Sequence, residues 1–266
     1  MFAVIPARNE ASRIASAIRN VRLAGVPKIV VVVNGCHDGT REVVSQMQEG
    51  DLTLLTFRDA LGVDIPRAIG AAYAYSRGAE SVLFYDGDLI GHHRDELGNL
   101  VKSASRFAVD LALTDTYGTA HDAVSARDTL IRLRYDVNHK LGLAARLGLS
   151  NPAHGPHLVS RRLLREIPLA YLGKPPLLLA YAAKRGFHVD TLAHIPNARL
   201  GSAHKGPTHS ERIRETIIGD LLEALCLVEG KPLSREFRGL VFDGYDSERR
   251  FDLLAKFAES LQKKTD

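Results

Sequence analysis

The chain has 266 residues, 45% of them hydrophobic and 25% charged, which suits one large soluble domain with a sizeable core. Its 35 Lys and Arg against 31 Asp and Glu leave a net charge of +4. That excess is too diffuse for nucleic-acid binding and comes with no basic run or aromatic platform; it fits anionic small molecules or peripheral contact with acidic lipid. Cys36 and Cys226 are the only cysteines and lie too far apart for a metal-ligand spacing. They point to reduced thiols in the cytoplasm, an expectation matched by the lack of a basic leader before the first strand. Apolar runs such as 29–33 are far too short to span a bilayer.

The first half alternates strand and helix patterns. Strands are predicted at 2–5, 28–33, 52–57, 82–86 and 109–114, where β-branched and apolar residues run together. Helices are predicted at 10–23, 39–47, 66–75 and 95–105, the first with Ile14, Ile18 and Val21 on one stripe and the third opened by Pro66. Strands interleaved with helices of this length imply a mostly parallel sheet covered on both faces. After residue 120 the pattern becomes helical: 128–147 as one long Arg-rich helix, then 177–184, 211–228 and 248–262, with a loop and short strand over 152–160 and a strand at 187–192. No repeat or low-complexity linker divides the chain. The expected organisation is a domain over 1–205 and a helical extension over 206–266 packed on it.

Asp86-Gly87-Asp88 ends the hydrophobic run Val82-Leu83-Phe84-Tyr85. Two carboxylates spaced i, i+2 on extended chain point to the same side. At the carboxyl end of a parallel strand, that side faces the crevice where ligands bind. The pair suits a hard cation, Mg²⁺ or Mn²⁺, shared with substrate phosphates. A polar strand-to-loop turn is the plainer explanation, since Asp and Gly are ordinary turn residues.

Three further stretches accompany it in order: Ile5-Pro6-Ala7-Arg8-Asn9-Glu10 after the first strand, Asn34-Gly35-Cys36-His37-Asp38-Gly39-Thr40 after the second, and Arg67-Ala68-Ile69-Gly70-Ala71-Ala72 opening a small-residue helix. Together the four resemble the nucleotide-sugar glycosyltransferases of the GT-A fold, family 2, and their glucosyl-phosphoglycerate-synthase-like relatives. The resemblance covers the first 115 residues well and the next 90 loosely. It implies an α/β, Rossmann-like sheet flanked by helices, a nucleoside-diphosphate sugar such as a UDP- or GDP-sugar as donor, and a small-molecule acceptor. Peripheral membrane contact and a homodimer are left open.

The resemblance also distributes roles. Pro6, Ala7, Arg8 and Glu10 would contact the nucleotide, although Glu10 alone reads as a first-turn acid on a helix dipole. Asn34 stands where relatives often carry an acid that meets the base; an amide can still donate and accept. Arg67 lies where relatives carry a basic residue near the diphosphate, and a helix N-terminus beside a guanidinium makes a phosphate site. Asp38 is assigned to capping the next helix. Asp88 would be the direct metal ligand, with Asp86 and Gly87 beside it at the ribose or a metal-bound water. His204 is the best match for a downstream histidine ligand, with His194 and His209 as alternatives, and Lys205 and Arg199 would offset diphosphate charge.

The acceptor side rests on 150–157 and on Asp115. Inverting relatives place an acid just before a helix where this chain has Gly173-Lys174-Pro175-Pro176-Leu177-Leu178. A displacement needs a base within reach of the acceptor hydroxyl; Asp115 or Asp122 could serve, or the leaving phosphate could accept the proton with retention. Two rivals stand beside the transferase: a sugar-phosphate nucleotidyltransferase, disfavoured because no Gly-rich loop follows the first strand, and a non-catalytic nucleotide-sugar-binding relative.

Overall fold

In the computed structural model, which describes residues 1–118, 128–202 and 205–263, the apolar runs become strands β1 (Phe2–Ala7), β2 (Ile29–Asn34), β3 (Leu52–Phe57), β4 (Ser81–Phe84), β5 (Leu111–Asp115), β6 (His157–Ser160) and β7 (Val189–His194). They form one sheet in the order β3-β2-β1-β4-β6-β5-β7. All pairings are parallel except those of β6, which lies antiparallel between β4 and β5. Alternation along β1 splits the core: Val4 faces one layer, while Ala3, Ile5 and Ala7 face the other. A fully buried aliphatic side chain such as Ile5 contributes roughly 1.5–3 kcal/mol.

Helices α1 (Ile14–Leu23), α2 (Thr40–Gln46) and α4 (Arg94–Arg106) cover one face. The other carries α3 (Ile65–Ser76), α5 (Thr129–Lys140) and α9 (Pro175–Lys184), with α11 (Pro207–Glu229) against α5 and α9 and α12 (Phe251–Gln262) against α3. Gly70 lets α3 lie on β1, because a Cβ there would overlap Val4. The expected mostly parallel α/β sheet with a helical C-terminal part is what forms.

Several local expectations are corrected. The long helix over 128–147 is two, α5 and α6 (Ala144–Leu147), because the chain turns at Gly142, whose φ of +71° breaks the helical path. The first helix begins at Ile14 rather than residue 10, after a turn in which Glu10 O accepts from the amides of Arg13 and Ile14. β4 stops at Phe84, yet Tyr85 N and Gly87 N still bond to Val4 O and Pro6 O at 3.1 and 3.2 Å, so the acidic triplet continues alongside β1. Short elements went unforeseen: α7 (Arg161–Glu166), α8 (Leu169–Leu172), α10 (Asn197–Leu200) and a hairpin of β8 (Glu236–Phe237) and β9 (Leu240–Val241). Each is too short to show periodicity.

Candidate functional site

The carboxyl ends of β1, β2 and β4 open into one cleft of about 370 Å³. Pro6, Ala7, Arg8, Glu10, Asn34, Arg67, Asp86, Gly87, Asp88 and Lys205 all line it, so the predicted donor residues are brought together. Gly87 is fixed by space: a Cβ would stand 2.7 Å from Pro6 O. Only a residue without a side chain lets the acidic turn run so close to the first strand.

The two aspartates differ electrostatically. Arg67, from the first turn of α3, reaches Asp64 Oδ1 at 2.7 Å and Asp86 Oδ1 at 2.5 Å. Burial pushes the Asp86 carboxyl up, but the adjacent guanidinium outweighs it and holds Asp86 below the usual carboxylate range. Asp88 has no such partner. Burial and the charge of Asp86 raise its pKa, with Lys205 Nζ 3.8 Å away as a distant counterion. An acid raised by crowding and facing a cleft gains from a cation.

Glu10 is buried, and its carboxylate accepts from Arg13 at 2.8 Å and Lys205 Nζ at 2.5 Å. Asn34 is a scaffold: Nδ2 donates to Ala7 O at 3.2 Å and Oδ1 accepts from Leu61 N at 3.1 Å. Asp38 stands one residue before Gly39, the N-cap of α2, and so is not the cap expected of it; it closes the turn into the helix by accepting from Thr40 N at 3.0 Å and also ties down Ala11 N.

Other expected residues lie elsewhere. Asp115 is not among the lining residues; its carboxylate accepts from the amides of Tyr117 and Gly118 and from His194 Nδ1 at 3.0 Å. That also accounts for His194. Arg199 is drawn away to Glu96 and to His92 O. His204 and Asp122 lie outside the described residues. His209 lines the cleft, with Nδ1 2.9 Å from the Tyr245 hydroxyl, and burial together with Lys205, Arg212 and Arg8 lowers its pKa.

The missed wall comes from the C-terminal segment. His209, Ile213, Thr216 and Asp220 follow one stripe of α11 into the cleft, joined by Tyr245 and Glu248. The 4-3-4 spacing is present in the sequence, but the helix predicted over 211–228 starts after His209, and no local pattern says which face of it meets the cleft. Beneath them Arg249, its side chain fully buried, pairs with Asp220, Asp246 and Asp64. Lys174 bonds Glu223 at 2.8 Å and Asp246 at 3.0 Å.

Among the described residues no three His, Cys, Asp or Glu side chains cluster as a metal cage. Asp88 beside Asp86 is instead an all-oxygen pair of the kind that holds Mg²⁺ or Mn²⁺ jointly with substrate phosphates. No helix among the described residues is long and apolar enough to cross a membrane.

A glucosyl-3-phosphoglycerate synthase from Mycobacterium tuberculosis, in complex with Mn²⁺, uridine diphosphate and phosphoglyceric acid, is similar in structure at a TM-score of 0.60 and 17% identity, over 88% of this chain and 80% of that one. Its complex with phosphoglyceric acid gives 0.58 and 18%, over 88% and 81%. A mycobacterial protein gives 0.60 and 17%, over 88% and 76%. At this identity the likeness establishes the shared fold. No curated protein matches the chain. The sequence profile described as glycosyl transferase family 2 matches residues 2–167, more than half of the length. The chain therefore belongs to glycosyl transferase family 2 and is a nucleotide-sugar glycosyltransferase.

Proposed function

We propose that this glycosyltransferase is divalent-cation dependent and moves a sugar from a nucleoside-diphosphate donor to a soluble, acidic small-molecule acceptor. The observation that carries this is Asp88: a cleft-facing carboxylate that burial and Asp86 push up, with no close counterion, on a turn pressed against Pro6. A bound Mg²⁺ or Mn²⁺ would offset the charge developing on the departing diphosphate.

The chain's own groups divide the remaining work. Pro6 to Glu10 form the nucleotide-side edge of the cleft, with Asn34 holding that edge in place. Arg67 keeps Asp86 ionised, and Lys205 and Arg8 bring positive charge to the diphosphate region. In the transfer, the acceptor oxygen bonds to the anomeric carbon as the bond to diphosphate breaks, and one proton is released. The structural neighbour bound to phosphoglyceric acid supports an acidic acceptor.

The test is a panel of UDP- and GDP-sugars with Mn²⁺ or Mg²⁺, with and without phosphoglyceric acid, scored for free nucleoside diphosphate and for glycosylated product. Metal-dependent release, lost by 10²-fold or so in Asp88→Asn, is expected. Turnover that survives both chelation and Asp88→Asn defeats the proposal. Consumption of a sugar phosphate with a nucleoside triphosphate assigns the nucleotidyltransferase reaction instead.

A further inference from the structure

The chain beyond Asp88 is clasped by the segment that leads to Lys205. Gly91 N donates to Leu200 O at 3.0 Å, and a Cβ on Gly91 would stand 1.8 Å from Arg199 O. From the other side a Cβ on Gly201, whose φ is +71°, would meet Gly91 N at 2.6 Å. The two backbones therefore touch at a pair of glycines, where any side chain would force them apart. Arg199 closes the edge of this contact, its guanidinium bonding Glu96 Oε1 at 2.5 Å and His92 O at 2.7 Å.

Behind the glycines stands a buried polar chain that no step of the transfer uses. His93, 1% exposed, immediately precedes α4. Its Nδ1 lies 3.1 Å from Arg199 O and its Nε2 2.9 Å from the hydroxyl of Tyr85, which is equally buried. That hydroxyl is also 2.8 Å from Leu89 O, and Asn20 Nδ2 donates to it at 3.1 Å and to Gly91 O at 3.2 Å. A carbonyl only accepts, so Nδ1 carries the ring proton. Burial lowers the pKa of His93 and keeps the ring neutral, so Nε2 accepts from Tyr85. One run of hydrogen bonds thus leads from Tyr85, next to Asp86, through His93 to the backbone of Arg199.

We propose that His93 is a positioning residue of the donor site: through Arg199 O it holds the 199–201 segment against the turn that follows Asp88, and so sets the spacing between Asp88 and Lys205. The proposal rests on the reading of the cleft as a donor site. Lys205 lies four residues past Gly201, about 14 Å of chain at full extension, so a shift of the clasp is carried into its ammonium.

The test is equilibrium titration of the full chain with UDP in the presence of Mn²⁺, beside thermal melting. His93→Asn keeps a donor at the position of Nδ1, whereas His93→Gln reaches only the position of Nε2. Each gives up one buried hydrogen bond, so both are expected to melt lower by similar amounts. UDP affinity is expected to fall about tenfold in His93→Gln and to stay within about twofold of the unsubstituted chain in His93→Asn. A merely structural role moves the two variants together, so equal affinities in both, normal or weakened, overturn the proposal. If neither variant folds, Gly201→Ala decides: it leaves the Tyr85–His93 pair intact and parts the backbones at Gly91. It is expected to weaken UDP binding about tenfold, and unchanged affinity overturns the proposal. An unsubstituted chain that fails to bind UDP with Mn²⁺ overturns the donor reading itself, and the positioning role with it.

Discussion

Lys205 Nζ sits 2.5 Å from Glu10 Oε1 and 3.8 Å from Asp88 Oδ2, so one ammonium from the start of the C-terminal segment joins the end of β1 to the acidic turn. Glu10 is buried while Lys205 is about a third exposed, so the lysine is the partner free to move. Lys205→Met is expected to weaken nucleoside-diphosphate binding by roughly 10- to 150-fold, the value of one charged hydrogen bond. Equilibrium titration with UDP in the presence of Mn²⁺ measures it, and unchanged affinity would remove Lys205 from the diphosphate site.

Gly87→Ala places a methyl 2.7 Å from Pro6 O, with Ile14 Cδ1 at 3.2 Å on the other side. The obstacle is backbone, so the turn itself must shift. The expected cost is about 1–3 kcal/mol, read as a lower melting temperature together with weaker donor binding. A variant that melts normally and binds UDP normally would show the turn to be looser than described.

Arg249 is the centre of the ion cluster under the cleft, 2.7 Å from both oxygens of Asp220 and in contact with Asp246 and Asp64. Asp64 also pairs with Arg67, so the cluster reaches Asp86 through two ion pairs. Arg249→Met removes the cation shared by three acids, although Asp64 keeps Arg67, Asp246 keeps Lys174 and Asp220 keeps Arg235 at 2.6 Å. Chemical denaturation is expected to show a loss of about 3–5 kcal/mol; a loss under about 1 kcal/mol would mean that the remaining cations satisfy the acids.

His157 stacks on Phe84 with ring centres 4.9 Å apart, and burial, reinforced by Arg67, pushes its pKa down to about 3. The unfolded chain binds a proton near pH 6.5, while the folded one does not until about pH 3. Stability is therefore fully present above pH 6.5 and falls as pH drops from 6.5 toward 3, by up to about 1.4 kcal/mol per unit from this residue. His157→Phe keeps the stack and removes the proton site. Melting curves from pH 7.5 to 5 are expected to flatten in the variant, and an unchanged slope would assign the pH dependence to other groups.

The gathering of the strand-end residues at one cleft was legible because strand ends are local facts. The β-branched run before Asn34 and the apolar run before Asp86 place those residues where strands give way to loops, whatever packs around them. Charge partnership was not legible. Arg67 read as a free phosphate ligand because Asp64 and Asp86 look like a loop acid and a metal acid until α3 is laid on β1. Asp115 read as a catalytic candidate because His194, 79 residues on, is invisible as its partner.

The sequence by itself determined the alternating α/β order, the strand-end position of Asp86-Gly87-Asp88 and the family. These follow from periodicities and motifs spanning a few residues. Only the tertiary structure decided which polar atoms are spent on each other. It set Asn34 to scaffolding and Arg199 to Glu96, and made α11 the far wall of the cleft. Burial and pairing depend on contacts between residues tens to hundreds of positions apart, and no local pattern carries that information.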